Sequence, residues 1–380
     1  MIRDADLLND LISTIRRFVD ERLIPAEAQV EEENAIPDAL LQEMKALGLF
    51  GMSIPEEYGG LGLTMEEEVR VALELGRTSA AFRSAFGTNN GIGSQGIIVD
   101  GTEAQKQYWL PKMATGTVIG SFALTEPDTG SDAGSLQTTA RREGDRYVLN
   151  GTKRYITNAP IADVFTLMAR TGGPGPGGVT AFLIPRDSPG LSLGKPDRKM
   201  GQRGTKTCDV ILDDCIVSAN AVIGGREGLG FKTAMKVLNR GRLHIAAFCV
   251  GQAQRLCEES VRYACARNQF GKPIAQHQLI QGMLADSGTE TYAGRCMVIE
   301  TAQRYDRAER IIREAAACKY FCSEMVGRVA DRAVQIHGGS GYVADSAVEH
   351  FYRDVRLFRL YEGTSQIQQI IIAREMIAGE

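Results

Sequence analysis

The sequence predicts an α+β multidomain chain in three parts. These are an N-terminal all-α domain at residues 1–117, a central antiparallel β-barrel or sandwich domain at 118–225 and a C-terminal four-helix bundle at 226–380. Three features point there. Apolar residues recur at helical spacing through both ends of the chain. The middle holds short β-branched and aromatic runs separated by Gly- and Pro-rich turns. Those runs follow one another too closely for the helical crossovers that parallel strands need, which favours antiparallel pairing. A chain of 380 residues has room for two to three domains of about 150 residues each.

The first part opens with an amphipathic pattern, Leu7, Leu8, Leu11, Ile15, Phe18 and Val19 falling on one side. Acids stand among its bases and no small-residue cleavage site follows, so no signal or transit peptide is expected and the location expected is cytoplasmic. Further helices are expected from Leu40 to Leu49 and from Met65 to Leu75, with Pro25, Pro37 and Pro55 as punctuation. In the second part, strands are expected at Val118–Leu124, Arg146–Leu149, Tyr155–Thr157, Val164–Ala169, Val179–Ile184 and Val210–Leu212, with a turn at Asn150-Gly151. In the third, Ile245, Cys249, Ala253, Leu256, Ser260 and Tyr263 make one helical stripe, and a longer one runs from Ala308 to Ile336. Small residues within these stripes suit a close-packed bundle.

Composition removes several function classes. Lys plus Arg is 43 against Asp plus Glu 47, a net charge of −4, which is the wrong sign for a protein built to neutralise nucleic-acid phosphates. No apolar run approaches the length of a membrane-spanning helix, so no membrane insertion is expected. The eight cysteines include no CxxC and the four histidines are scattered, so no metal site is expected.

Four segments stand out. Phe122–Ser135 leaves a strand and becomes a Gly/Ser/Thr-rich loop, whose N–H groups and hydroxyls suit a polar heterocycle or phosphate. Asn150–Asn158 ends in an aromatic and a hydroxyl, Tyr155 and Thr157, which could flank a flat group; taken alone, a plain half-buried strand is the better explanation. Gln335–Tyr342 places glycines where the long helix ends, which is capping geometry and the wrong context for a dinucleotide fingerprint. In Leu360–Gln368, Glu362 precedes a Gly-Thr-Ser turn and an isoleucine-rich helix. A carboxylate in an apolar setting has its pKa raised, as a base working near neutrality requires, although an acid near a helix N-terminus is also common.

Taken in order, these segments resemble the acyl-CoA dehydrogenase family from about residue 5 to residue 378. The segments that carry the likeness are Ala123-Leu-Thr-Glu-Pro-x-x-Gly-Ser-Asp132, Gln335 through Asp354, Arg267-Asn-Gln-Phe-Gly-Lys272 with His277-Gln278, and Tyr361-Glu-Gly-Thr-Ser-Gln366. The resemblance implies FAD held between the β-domain and the last helical domain, with a second subunit contributing. It assigns Phe122, Leu124, Thr125 and Ser131 to a flavin-contacting loop, Ser131 also to CoA, and Tyr155 and Thr157 to the ring, Tyr155 standing where the family more often has Trp. Across a dimer interface it assigns Arg267, Gln278, Gln335, Gly338 and Gly339. Thr364 and Gln366 match positions that close over the adenine end or the pyrophosphate.

The chemistry implied is removal of a thioester Cα proton by Glu362 while a hydride leaves Cβ for the flavin, giving a trans-2-enoyl-CoA. Arg242 would position Glu362 and the substrate. Some members carry the base on the earlier helix; here that position is Gly241, so no carboxylate competes. Gly93 and Gly96 are spaced like pocket-floor glycines of very-long-chain members, which implies medium or long straight-chain acyl groups as substrate; glycines that merely pack helices would account for the spacing equally. The family also implies a tetramer built as a dimer of dimers and an electron-transferring flavoprotein as acceptor. Rival uses of the same fold are an acyl-CoA oxidase, usually a longer chain, a flavin monooxygenase, which lacks the carboxylate, and a nucleic-acid-binding member, which needs a basic face.

Overall fold

The structure is a computed structural model that describes residues 1–379. Helix α1 (Ala5–Phe18) starts where the Asp4 carboxylate accepts the N–H groups of Asp6 and Leu7. It runs through a π turn into α2 (Ile24–Glu33). Pro25, expected to interrupt a helix, occupies the first turn of α2, where its missing N–H costs nothing. Next come α3 (Asp38–Ala46), α4 (Met65–Leu75), α5 (Ala80–Asn90), α6 (Gln95–Asp100) and α7 (Glu103–Ala114). A Thr64–Glu67 capping box opens α4.

The central sheet comprises β1 (Gly120–Ala123), β2 (Thr139–Glu143), β3 (Arg146–Thr157), β4 (Val164–Arg170), β5 (Val179–Pro185), β6 (Leu191–Leu193) and β7 (Thr207–Ser218). Its order is β1-β4-β2-β3-β7-β6, with β5 on β4. The expectation of an antiparallel sheet needs correcting. Most pairs are antiparallel, but β1 runs parallel to β4, and β2 joins β4 in parallel at Thr139 and Arg170. The β2–β3 hairpin lies between β1 and β4 in the chain and reverses it, so a parallel pair forms without a crossover helix.

The expected turn at Asn150-Gly151 is also corrected. Both residues lie inside β3, at a register shift against β7. A Cβ on Gly151 would fall 2.8 Å from the Thr138 Cα. The glycine therefore serves a bulge and a close backbone approach, and Asn150 bonds across the sheet to Asp214.

The last part is α8 (Gly230–Ala266), α9 (Gln278–Asp306), α10 (Ile312–His337), α11 (Ala347–Val355) and α12 (Ser365–Ala378). Helices α8, α9, α10 and α12 pack as a bundle, with α11 beside α10. Gly338 caps α10 with φ of 58°, as its glycines suggested. One apolar core joins α1–α5 to this bundle, through Phe82, Phe86, Phe248, Met325 and Phe358 among others, while a second core lies within the sheet. All eight cysteines are free. Among the described residues no helix is long and apolar enough to cross a membrane, and no group of three or more His, Cys, Asp or Glu could hold a metal.

A buried ion pair pins the loop after β1. Lys153 of β3 is fully buried and its Nζ lies 2.7 Å from Glu126 Oε1. Burial pushes the Glu126 pKa up, but Lys153 and the Gln137 N–H outweigh it and bring it down to about 2. Replacing Glu126 by Gln should cost about 3–5 kcal/mol, because Lys153 keeps its burial and loses its partner. Denaturant unfolding of the variant, fitted beside the parent, checks this; an unchanged midpoint would refute it.

Candidate active site

A cavity of 780 Å³ opens where the three parts meet, and Phe122, Leu124, Thr125, Ser131, Tyr155 and Thr157 line it, as do Arg242 and Glu362. The loop from Leu124 to Thr138 owes its shape to Glu126. That carboxylate accepts the N–H groups of Gln137 (2.6 Å) and Thr138 (2.9 Å) together with the Lys153 ammonium. Lys153 also donates to the Leu124 carbonyl at 3.1 Å. The two ends of the loop are thereby held on one carboxylate, and the stretch between them faces the cavity.

The second wall comes from β3. A register shift between Lys153 and Ile156 lets Lys153 point into the loop and Ile156 into the sheet core, while Tyr155, with φ of 60°, turns outward and is 63% exposed. A bulky residue in the left-handed region is strained and marks a functional position. Arg154 lies 4.2 Å from the Tyr155 ring centroid and is itself fixed by Asp197 and Asp209. An aromatic face beside the hydroxyls of Thr125 and Thr157 can take a flat, polar heterocycle.

Glu362 reaches the cavity from the turn before α12. It too adopts a positive φ, 53°. The turn is held from below: buried Lys319 donates to the Gly363 carbonyl at 2.6 Å, and the Gln368 amide donates to the carbonyls of Glu362 (3.2 Å) and Gly363 (3.0 Å). Glu362 Oε2 is buried without a hydrogen-bond partner. Burial raises the Glu362 pKa, against the opposing pull of Arg83, Lys319 and Arg242. Room for the carboxylate comes from Gly241 of α8, where a Cβ would lie within van der Waals overlap of Oε2. Arg242 lines the cavity, its Nη1 donating to Asn239 at 2.7 Å and its pKa lowered by burial.

Other expected positions fall elsewhere. Arg267, Gln278, Gln335, Gly338 and Gly339 are exposed and line no part of the cavity. They lie at the far end of the bundle, where α8 ends, α9 begins and α10 ends, around the small apolar cluster of Ala264, Ile274 and Ile336. Thr364 caps α12 by accepting the Ile367 N–H at 3.3 Å, and Gln366 faces outward.

The pocket-floor reading of Gly93 and Gly96 is corrected: neither lines the cavity. A Cβ on Gly93 would fall 2.6 Å from the Thr88 carbonyl, and one on Gly96 would touch Ile223, Thr233 and Thr166. These glycines pack the corner between α5 and α6. Of the glycines in this stretch, Gly87 of α5 and Gly91 at its C-cap line the cavity.

Among the titratable cavity residues the sequence reading missed are Glu68, Arg83, Arg240 and His244. One signal was present. Arg83 is the single charged residue between Arg77 and Asp100, and an isolated charge in an otherwise uncharged, buried helix marks a site.

Comparison with known proteins agrees with this geometry. Three family models match in sequence: the acyl-CoA dehydrogenase N-terminal domain over residues 7–117, the middle domain over 121–215 and the C-terminal domain over 228–377. The chain is 39% identical to the 3-(aryl)acrylate reductase of Clostridium sporogenes over 97% of its own length and 98% of the relative's. It is 40% identical to the human mitochondrial short-chain specific acyl-CoA dehydrogenase, over 97% and 89%. Its fold superposes on butyryl-CoA dehydrogenase from Megasphaera elsdenii with a TM-score of 0.95, at 32% identity, covering 99% and 100% of the two chains. For an acyl-CoA dehydrogenase of Bacillus anthracis complexed with FAD the TM-score is 0.93, at 35% identity, covering 99% of this chain and 67% of that one.

A Gly241→Ala variant should push the Glu362 carboxylate aside. Because the atom displaced is the end of a flexible side chain, thermal stability should change little. Turnover should fall on the order of 10²-fold through misplacement alone. Steady-state kinetics beside a melting curve tests both parts; full activity would show that the contact does not position Glu362.

Proposed function

The chain belongs to the acyl-CoA dehydrogenase family, and from that premise we propose that Glu362 is the base that removes the Cα proton of an acyl-CoA thioester. Membership makes the protein an oxidoreductase of CH–CH groups that works with FAD. When bound, FAD supplies the acceptor, at N5, for the hydride that leaves Cβ. The Cα–H electron pair becomes the second bond of a trans-2-enoyl-CoA, and the proton stays on Glu362. The observation that carries the assignment is the buried, unpartnered Oε2 of Glu362, aimed into the cavity from a strained turn.

The cavity's β-domain wall suits the flavin, with Tyr155 to stack, Thr125 and Thr157 to bond its edge, and Phe122 and Leu124 beside them. Ser131, at the cavity rim, would contact CoA. The Glu362 N–H would bond the thioester carbonyl, raising Cα acidity by oxyanion-type stabilisation. Arg242 would steady Glu362.

Arg267, Gln278, Gln335, Gly338 and Gly339 would complete the FAD site of a second copy, Arg267 offering its fork to the pyrophosphate. Thr364 and Gln366 would close over the same cofactor. Highly exposed Phe270 (94%) and Leu279 (85%) beside this cluster support burial against another subunit. We infer a homo-oligomer, a dimer of dimers, that passes its electrons to an electron-transferring flavoprotein.

The expectation of a medium or long acyl chain rested on Gly93 and Gly96, which do not line the cavity. The charged groups Glu68, Arg83 and Arg240 do, and burying a long alkyl tail against them is unfavourable. We infer a short acyl group, in keeping with the short-chain specificity of the human relative.

Anaerobic titration with an acyl-CoA panel should bleach the flavin of the parent protein. In Glu362→Gln, turnover should fall by about 10²–10⁴-fold or more, with FAD still bound. Because burial raises the Glu362 pKa, kcat/KM in the parent should rise with pH as the carboxylate ionises and then level off. A Gln variant that retains full activity, or a flat profile through the carboxylate range and above, would remove Glu362 from this role.

A further inference from the structure

The charges around Glu362 do not balance. Glu68 lies against Arg240, and burial raises its pKa in spite of that partner. His244, with its pKa pushed well below the ordinary value by burial, is neutral and contributes no charge. Its Nδ1 accepts from Arg83 Nη2 at 3.3 Å. Arg83 itself has no carboxylate of its own. The nearest is Glu362, whose Oε1 lies 3.9 Å away, and Glu362 takes up a proton in each turnover. The Arg83 Nε is buried with no partner, and the side chain is 11% exposed.

A buried guanidinium without a dedicated counter-ion is costly. Its donors form a fork that matches the two oxygens of a carboxylate. Arg83 lines the same cavity as Glu362, so an anion on the fork would lie a short distance beyond the substrate's Cα. With CoA placed at Ser131 in the loop after β1, as proposed above, an anion on the fork of Arg83 in α5 would belong to the acyl group.

We propose that Arg83 is a specificity-determining residue and that the substrate is the CoA thioester of a short dicarboxylic acid, whose far carboxylate takes the Arg83 fork while Glu362 reaches Cα. This rests on the dehydrogenation reading above and names its substrate class. His244 holds the Arg83 guanidinium through Nη2, and the Arg240–Glu68 pair beside it would close the pocket against a longer chain.

The test uses FAD-loaded protein under anaerobic conditions, followed by steady-state kinetics with an artificial electron acceptor. Glutaryl-CoA and adipyl-CoA are compared with their ω-methyl esters and with butyryl-CoA and hexanoyl-CoA. The free carboxylate is expected to exceed its own methyl ester in kcat/KM by on the order of 10²-fold, the worth of a charged hydrogen-bonded contact. In Arg83→Gln that ratio should collapse to within about tenfold, and Arg83→Lys should restore part of it.

A ratio near unity in the parent protein, or one unchanged in Arg83→Gln, would overturn the assignment. The parent ratio alone decides the matter if the Gln variant fails to hold FAD. Flavin bleaching by the uncharged thioesters only would overturn the dicarboxylate and leave the dehydrogenase reading standing. No bleaching by any thioester would overturn both.

Discussion

Glu362 Oε2 occupies space that any Cβ at position 241 would take, and the site is built around that contact. In the role proposed for it, Glu362 accepts a carbon-bound proton near neutral pH, so it has to be kept from water yet needs somewhere to sit. The fold supplies the seat from several separate segments: Gly241 on α8, Arg83 on α5, and Lys319 on α10, which grips the turn by the Gly363 carbonyl. Because the N-terminal helices and the bundle share one core, these segments are held as a unit. The left-handed backbone at Glu362 is sustained by that surrounding packing.

The opposite wall depends on a second buried carboxylate used differently. Glu126 is ionised and satisfied by two N–H groups and Lys153, so it acts as a structural clamp. Glu362 is left with an unbonded oxygen, so it remains free to react. Environment alone separates the two roles. The same comparison applies to the cations. Arg240 is paired with Glu68, whereas Arg83 leans on a neutral histidine and on Glu362, which leaves its guanidinium without a dedicated counter-ion.

The division into helical, β and helical parts was legible because hydrophobic period is a local property. So were the glycine cap at Gly338 and the loop after β1, since capping and turn chemistry are set within a few residues. What misled was context. Asn150-Gly151 reads as a turn, but its glycine is there to admit the Thr138 backbone. Gly93 and Gly96 read as pocket glycines, but their neighbours come from β1, β4 and α8.

By itself the sequence determined the helical and strand segments, the base candidate Glu362 and the family likeness, because these rest on short-range patterning and on ordered residue strings. Only the tertiary structure decided that β1 and β4 run parallel, that Gly241 makes room for the carboxylate, and that Arg83, His244, Arg240 and Glu68 converge beside it. These residues come from three helices up to 176 positions apart along the chain, counted from Glu68 to His244. No local signal specifies which buried charges share a cavity. That is fixed by how the helices pack, and a charge's effect on its neighbour depends on a separation and a dielectric that exist only once the chain has folded.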